Sequence, residues 1–300
     1  MEAQPERLCH EHSEFFHGAD SALTPPPTNP NPSAAGPLLA LAIETSNPAS
    51  APVAGPSGAA STGQSVAFGL WHVGGAGGAG ARAELLGTEP VATATRHDDD
   101  LIPAIDRLAR RLGIAPLSID RIAVSIGPGG FTAVRVAVAA AKMIAEANTA
   151  RGRDARCIGV PSALVAGWGH ATSHASEHGV RDEALAVALA CKGDSVHLTV
   201  LPAGWRTDPA SVLPGTIAHA ADVGGLAARG VRTLIADAFL TSALRDAATG
   251  AGVKVLPPAF DAAACLEVAA LLLAMDALDL LPLYPREPEA VTLWRLKKKA

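Results

Sequence analysis

Residues 122–146 read IAVSIGPGGFTAVRVAVAAAKMIAE, and their order decides the fold. The opening residues, within IDRIAVSIG, are apolar almost without a break, as in a strand buried on both faces. Gly127, Pro128, Gly129 and Gly130 then make a tight turn, where glycine permits positive φ and close backbone approach. From Phe131 to about Ala147 the alanines and valines predict one long helix. Unpaired amides at a helix start face the turn before it, the general chemistry of an anion site. Gly127, Gly129, Gly130 and Thr132 are therefore the candidate nucleotide or anion turn. It is not a Walker A loop, which needs Gly-Lys-Ser/Thr, and it is not a dinucleotide fingerprint.

Upstream, LLALAIE (38–44) predicts a buried strand that ends on the acidic Glu44. SVAFGLWHV (65–73) predicts a second strand, paired with the first as a hairpin. Its turn is inflated by a Pro-, Ala- and Gly-rich insertion near 48–63, and a Gly-rich insertion near 74–81 follows. Leu101, Ile105, Leu108 and Leu112 form one stripe of a helix, with Asp98, Asp99 and Asp100 crowding its start and Gly113 its stop. Downstream, ALAVALA, SVHLTVL, VRTLIA and VKVL predict strands, and FDAAACLEVAALLLAMDAL (260–278) predicts a helix. Strands alternating with helices give an α/β protein, with two βαβ-rich halves. The expected division is a Pro-, Asn- and Ser-rich disordered tail over 1–37, a first lobe over 38–155 and a second over 156–300.

The chain is 49% hydrophobic with only 4% aromatic residues, so its core is built from many small contacts. A net charge of -5 argues against a broad nucleic-acid grip by the chain itself. Cys9, Cys157, Cys191 and Cys265 are scattered and form no CxxC pair, which predicts reduced thiols. No apolar run reaches the roughly 20 residues of a membrane span, and no secretory signal opens the sequence, so the expected location is cytoplasmic, with no membrane partner. Two sets of side chains have the composition of metal ligands: Cys9, His10, His12 and His17 in the tail, and His170, His174 and His178 at i, i+4, i+8. The first lacks preorganised geometry and the second is interrupted by Gly167, Gly169 and Gly179, so no metal site is predicted.

Several segments resemble one family in order. GPGGFTAVR closely resembles the GPGSFTGLR signature of the TsaB family, with Gly130 for serine and Ala133 for the second glycine. LLALAIETSN resembles its opening strand, normally ending IDTS, with Glu44 for aspartate. RHDDDLIPAIDRLARRLGI (96–114), CIGVPSAL (157–164), VALACKGDSVHL (187–198) and LLPLYPREPEAV (280–291) resemble its RHSQ-LLP-I, IGVSTL, VAIDARMGEVYW and P-YLR-P-AV segments. Together they cover the chain from Leu38 onward.

The resemblance implies an actin/Hsp70/sugar-kinase-like fold with two lobes, each a mixed sheet flanked by helices. It also implies a non-catalytic subunit that binds the catalytic protein TsaD and supports threonylcarbamoyl transfer to the adenosine next to the tRNA anticodon. A TsaE-like ATPase is the second implied partner, a homodimer is compatible with the isolated chain, and tRNA is met through the complex. ATP and a metal would belong to that complex, and none to the chain alone. The catalytic relative holds its metal with HxxxH, whereas the corresponding segment here is Val160–Val165, without imidazole. In the family the first-lobe helices form the dimer interface. Phe131, Val134, Ala137, Val138, Ala141 and Lys142 are accordingly the expected partner-binding residues, since small side chains let another helix approach closely. Two other classes are an ATP-dependent kinase of the same superfamily, with Glu44 its sole first-strand acid and no second Gly-rich adenosine motif beyond Gly224-Gly225, and a metallopeptidase, which lacks HExxH.

Overall fold

The computed structural model describes residues 36–47, 53–54, 60–61, 63–72, 82–91, 100–173, 183–191, 193–286, 294–295 and 297. The expected tail up to 35, and the metal candidates Cys9, His10, His12, His17, His174 and His178, lie outside them, as do Asp98 and Asp99.

The first lobe contains β1 (Leu38–Glu44), β2 (Ser65–His72), β3 (Arg82–Pro90), α1 (Leu101–Leu112), β4 (Arg121–Gly127), α2 (Phe131–Thr149) and β5 (Arg156–Pro161). Its sheet runs β3-β2-β1-β4-β5, with β1, β2 and β3 antiparallel and β4 and β5 parallel to β1. After α3 (Ser162–Ser173), the second lobe contains β6 (Leu185–Ala190), β7 (Val196–Leu201), β8 (Thr216–Ala218), α4 (Ala220–Gly224), β9 (Thr233–Ala236), α5 (Ser242–Gly250) and β10 (Lys254–Leu256), followed by α6 (Ala262–Ala269). Its order, β8-β7-β6-β9-β10, repeats the first sheet strand for strand and direction for direction. The expected α/β architecture of two mixed sheets flanked by helices is the one observed. β5 pairs with β4, however, so the first sheet extends to Pro161 rather than ending at the expected 155.

The alternation of side chains along each strand sorts the core into layers. On β1, Leu41 and Ile43 join Val66, Phe68, Ile122 and Val124 in a cluster with α1 and α2. Ala40 and Ala42 face the other way, with Ala67, Trp71, Ile158 and Val160, onto α3 and α6. The second sheet covers those same two helices with Leu185, Val187, Leu189, Leu201 and Ile235. Its other face, including Ala186, Val196 and Leu234, packs with Leu226, Leu244 and Ala248 around α4 and α5. The result is five layers: helices, sheet, helices, sheet, helices.

Glycines set the spacing of the central layer. Gly167 and Gly169 sit inside α3, although glycine at these positions predicts a weakened helix. A Cβ on Gly167 would lie 2.5 Å from Leu201 Cδ1, and one on Gly169 would lie 2.3 Å from the Ala259 carbonyl oxygen. The helix forms because tertiary packing outweighs a propensity cost of about 1 kcal/mol per glycine. At the other end, α6 stops at Ala269, short of the helix expected to 278. Leu271 and Leu272 close with tight bonds to Val268 and Ala269, and Met275 then pairs with Cys157 in β5. α1 follows its expected stripe, burying Leu101, Ala104, Ile105 and Leu108, and ends at Gly113 with φ 66°. Asp100 does not cap it with its side chain. Its carboxylate instead takes both terminal nitrogens of Arg107, at 2.8 and 2.7 Å.

Candidate partner face and glycine turn

β1 and β4 lie side by side and parallel, so Glu44 and the glycine turn emerge at the same end of the first sheet. Carboxyl ends of parallel strands are where open α/β sheets place their ligands. The turn there is held mainly by protein. The Gly130 amide donates to the Ser46 carbonyl at 2.6 Å. A Cβ on Gly129 would lie 2.0 Å from that same oxygen, so only glycine fits. Gly127 has φ 103°, and its missing Cβ would lie 3.0 Å from the Leu283 carbonyl oxygen. Thr132 is exposed at the start of α2. An anion at this turn would compete with Ser46 for the Gly130 amide.

Glu44 is fully buried at this end of β1. Its Oε1 accepts from the Ser46 amide at 2.7 Å and the Ser46 hydroxyl at 2.6 Å, while Oε2 has no hydrogen-bond partner. Burial pushes its carboxyl up to about 7, the Ser46 groups and the Ser125 hydroxyl oppose that rise, and Asp261 adds to it. Ser125 shares a 2.8 Å hydrogen bond with Ser162, the first residue of α3. Among the described residues no lysine or arginine forms a salt bridge with Glu44.

The segment Val160–Val165 places Val160 and Pro161 at the end of β5 and Ser162–Val165 in the first turn of α3. Of these six, only Pro161 is partly exposed. These residues do not fit the metal that HxxxH holds, and the described residues contain no group of three or more His, Cys, Asp or Glu arranged to hold one. Gly224 ends the short α4 and Gly225 continues its last turn, a structural stop. A cavity of about 230 Å³ lies at the carboxyl ends of β9 and β10, lined by Asp237, Arg245 and the apolar Val255–Pro258.

α2 has two stripes at four-residue spacing, and the sequence could not tell which faces out. Ala137, Ala141 and Ala145 are buried, together with Val134 and Val138, against the lobe's own sheet. Of the expected partner residues, Phe131 is 56% exposed and Lys142 half-buried, its amine donating to the Leu278 carbonyl at 3.1 Å. The outward stripe is Phe131, Arg135, Ala139 and Met143, the last 72% exposed. The Arg135 guanidinium lies 5.0 Å over the Phe131 ring. Tyr284 meets the same ring at 5.3 Å from a strap formed by the chain around Leu283. That strap is tied to the first lobe by the Leu283 amide on the Ile126 carbonyl at 2.7 Å, and to the second by Arg286 on the Ser195 hydroxyl. Recognising Phe131, Arg135, Ala139 and Met143 as one face was possible from their period, but the smoother alanine stripe obscured it.

Residues 81–161 match the sequence model of the family described as TsaD, tRNA N6-adenosine threonylcarbamoyltransferase. No curated protein sequence matches the chain. Among solved structures, the chain is similar to a Pseudomonas aeruginosa protein described as uncharacterized with similarity to the peptidase YeaZ. Identity is 19% over 83% of this chain and 100% of that one, with a TM-score of 0.47. It is also similar to YeaZ from Pseudomonas aeruginosa, with 18% identity over 82% of this chain and 99% of the other and a TM-score of 0.45. The strand, glycine turn and helix described above lie within the stretch that matches that family model.

Proposed function

We propose that this chain is a non-catalytic subunit of a tRNA threonylcarbamoyladenosine-forming complex, binding a TsaD-like catalytic subunit through α2. The observation that carries this reading is the Val160–Val165 segment, buried but for Pro161, where the catalytic relative has its metal-holding histidines. A chain of this family without that pair needs a partner to supply the chemistry. The outward stripe of α2 supports it, since exposed aromatic, methionine and arginine side chains are enriched at interface cores. No described helix is long and apolar enough to cross a membrane, in keeping with work in the cytoplasm on a soluble RNA. A TsaE-like ATPase, ATP and a metal enter only with the assembled complex.

The test is reconstitution. The chain alone should leave tRNA unmodified, and addition of a TsaD-like subunit with the ATPase and the threonylcarbamoyl adenylate should restore modification. Robust modification or ATP turnover by the isolated, contaminant-free chain overturns the reading in favour of an enzyme of the same fold.

A further inference from the structure

We propose that the amino edge of the second sheet is a phosphate-contacting surface for RNA, which rests on the tRNA-modification reading above. Leu201 at the end of β7 pairs with Leu185 at the start of β6, Leu185 with Thr233 at the start of β9, and Thr233 with Lys254 at the start of β10. One end of the sheet therefore gathers the chain leading into β6, the loop after β7, the turn before β9 and the start of β10. The described segments there, 183–184, 202–215, 227–232 and 252–254, carry four cations, Arg206, Arg229, Arg232 and Lys254, against two acids, Glu183 and Asp208. β7 and β10 are three strand spacings apart, so the sheet beneath these cations is about 14 Å wide. Two of them are tied together through the backbone, the Lys254 amide donating to the Arg232 carbonyl at 2.9 Å.

What sets this edge apart is that its cations are unmatched. In the first lobe Arg107 is held by Glu89 and Asp100, Arg111 by Glu89, Arg110 by Asp106, Arg153 by Asp120, and Arg156 by Asp154 and Asp276. Among the described residues, none of Arg206, Arg229, Arg232 and Lys254 forms a salt bridge. Arg229, Arg232 and Lys254 are exposed, and Arg206 is half-buried with its plane fixed. Its guanidinium carbon lies 4.4 Å over the Trp168 ring, whose indole nitrogen donates to Glu267 at 2.6 Å. Its Nε is buried without a hydrogen-bond partner, while the terminal nitrogens are left to the solvent. A planar fork held still with its terminal donors outward suits a phosphate.

With a net charge of -5 the chain has no broad basic surface, so an RNA contact has to be local. RNA is favoured over an anionic membrane because Leu213 is the one large apolar side chain exposed among these described segments, too little area to hold a bilayer surface. The same shortage argues against an acidic protein partner, whose interface would need an apolar core.

The experiment measures fluorescence anisotropy of an unmodified tRNA transcript with the full chain across a salt series. The test variant combines Arg229→Ala, Arg232→Ala and Lys254→Ala. The control combines Arg107→Ala, Arg110→Ala and Arg111→Ala, the same change of charge at matched positions. Each is shown folded by thermal melting, with the single substitutions used in place of a combination that unfolds. The test variant should bind roughly tenfold more weakly at low salt, with a slope of log affinity against log salt smaller by about 2. Arg206→Gln alone should lower that slope by about 0.7 to 0.9, and the control should match the parent. A full chain that binds no tRNA at low salt, a test variant with unchanged affinity and slope, or an equal loss in the control each overturns the proposal. So does a loss confined to parallel titrations with polyglutamate or with phosphatidylserine vesicles, which would assign the edge to an acidic protein or a membrane. Co-purification of the test variant with a TsaD-like subunit reports on the underlying reading separately. If it persists while tRNA binding is unaffected by the variant, the edge is wrong and the subunit role stands.

Discussion

The two lobes share one strand order but clothe it differently. In the first, α1 and α2 span 12 and 19 residues, while in the second α4 and α5 span 5 and 9. A five-residue helix is little more than one turn and has no room for an inward and an outward stripe together. α2 has more than five turns, so it can bury Ala137, Ala141 and Ala145 while presenting Phe131, Arg135, Ala139 and Met143. The same topology thus yields one lobe with a helix face to offer and one whose helices serve mainly to cover a sheet.

The sharpest way to break this comparison is to charge the inward stripe. Ala137→Glu should cost about 3–5 kcal/mol and unfold the first lobe, since it buries an unpaired charge. Ala248→Glu, equally buried in α5, should do the same to the second, both read by thermal melting. A folded Ala137→Glu variant would show that α2 is not seated as described.

Next comes the carboxyl at the end of β1. Glu44 is held up to about 7 in the folded chain against a reference of 4.5, so the native state keeps a proton that the unfolded chain releases between those values. Stability from this group is fully present below about pH 4.5 and is lost as pH rises towards 7, by roughly 3 kcal/mol in all. Denaturant titrations across that window should show the slope in the parent, and Glu44→Gln should flatten it. An unchanged slope in the variant would assign the proton elsewhere.

Gly129→Ala should destabilise by roughly 1–3 kcal/mol, because its Cβ meets the Ser46 carbonyl. The second-lobe control, Gly225→Ala, finds its nearest atom at 3.4 Å and should stay within about 0.5 kcal/mol of the parent. The smallest stability effect is expected at the surface. Met143→Asp and Arg135→Glu should melt within about 0.5 kcal/mol of the parent yet fail to co-purify with a TsaD-like subunit. Phe239→Asp, on the exposed loop after β9, should keep both properties. If all three variants bind alike, the partner face lies off α2.

Strand, turn and helix over 121–149 were legible because apolar runs, glycine and periodicity agree there. β3 was not, since its residues are mostly exposed and its Arg, Glu and Gly leave no clean alternation. The early end of α6 was hidden because LLLAMDAL keeps an apolar composition whether it coils or turns. Gly167 and Gly169 misled for the opposite reason: their cost is local and visible, whereas Leu201 and Ala259, which demand them, lie more than 30 residues downstream. At the candidate face, both stripes of α2 repeat every fourth residue, and only the sheet decides which is covered.

The central layer also has a consequence for how the protein is made. The inner face of the first sheet is covered in part by α6, whose Leu266 reaches Gly69 and whose Ala262 amide is bonded to Ser65, 197 residues earlier. A nascent chain that has emerged only as far as α3 therefore carries that sheet with part of its inner apolar face still bare. The ribosome adds about 5–20 residues each second, so the exposure lasts roughly 5–20 seconds until α6 arrives. The finished lobes look like two repeats that each fold alone, but the first waits on the second for its cover, and a molecule interrupted in translation is left with a surface for chaperones to hold.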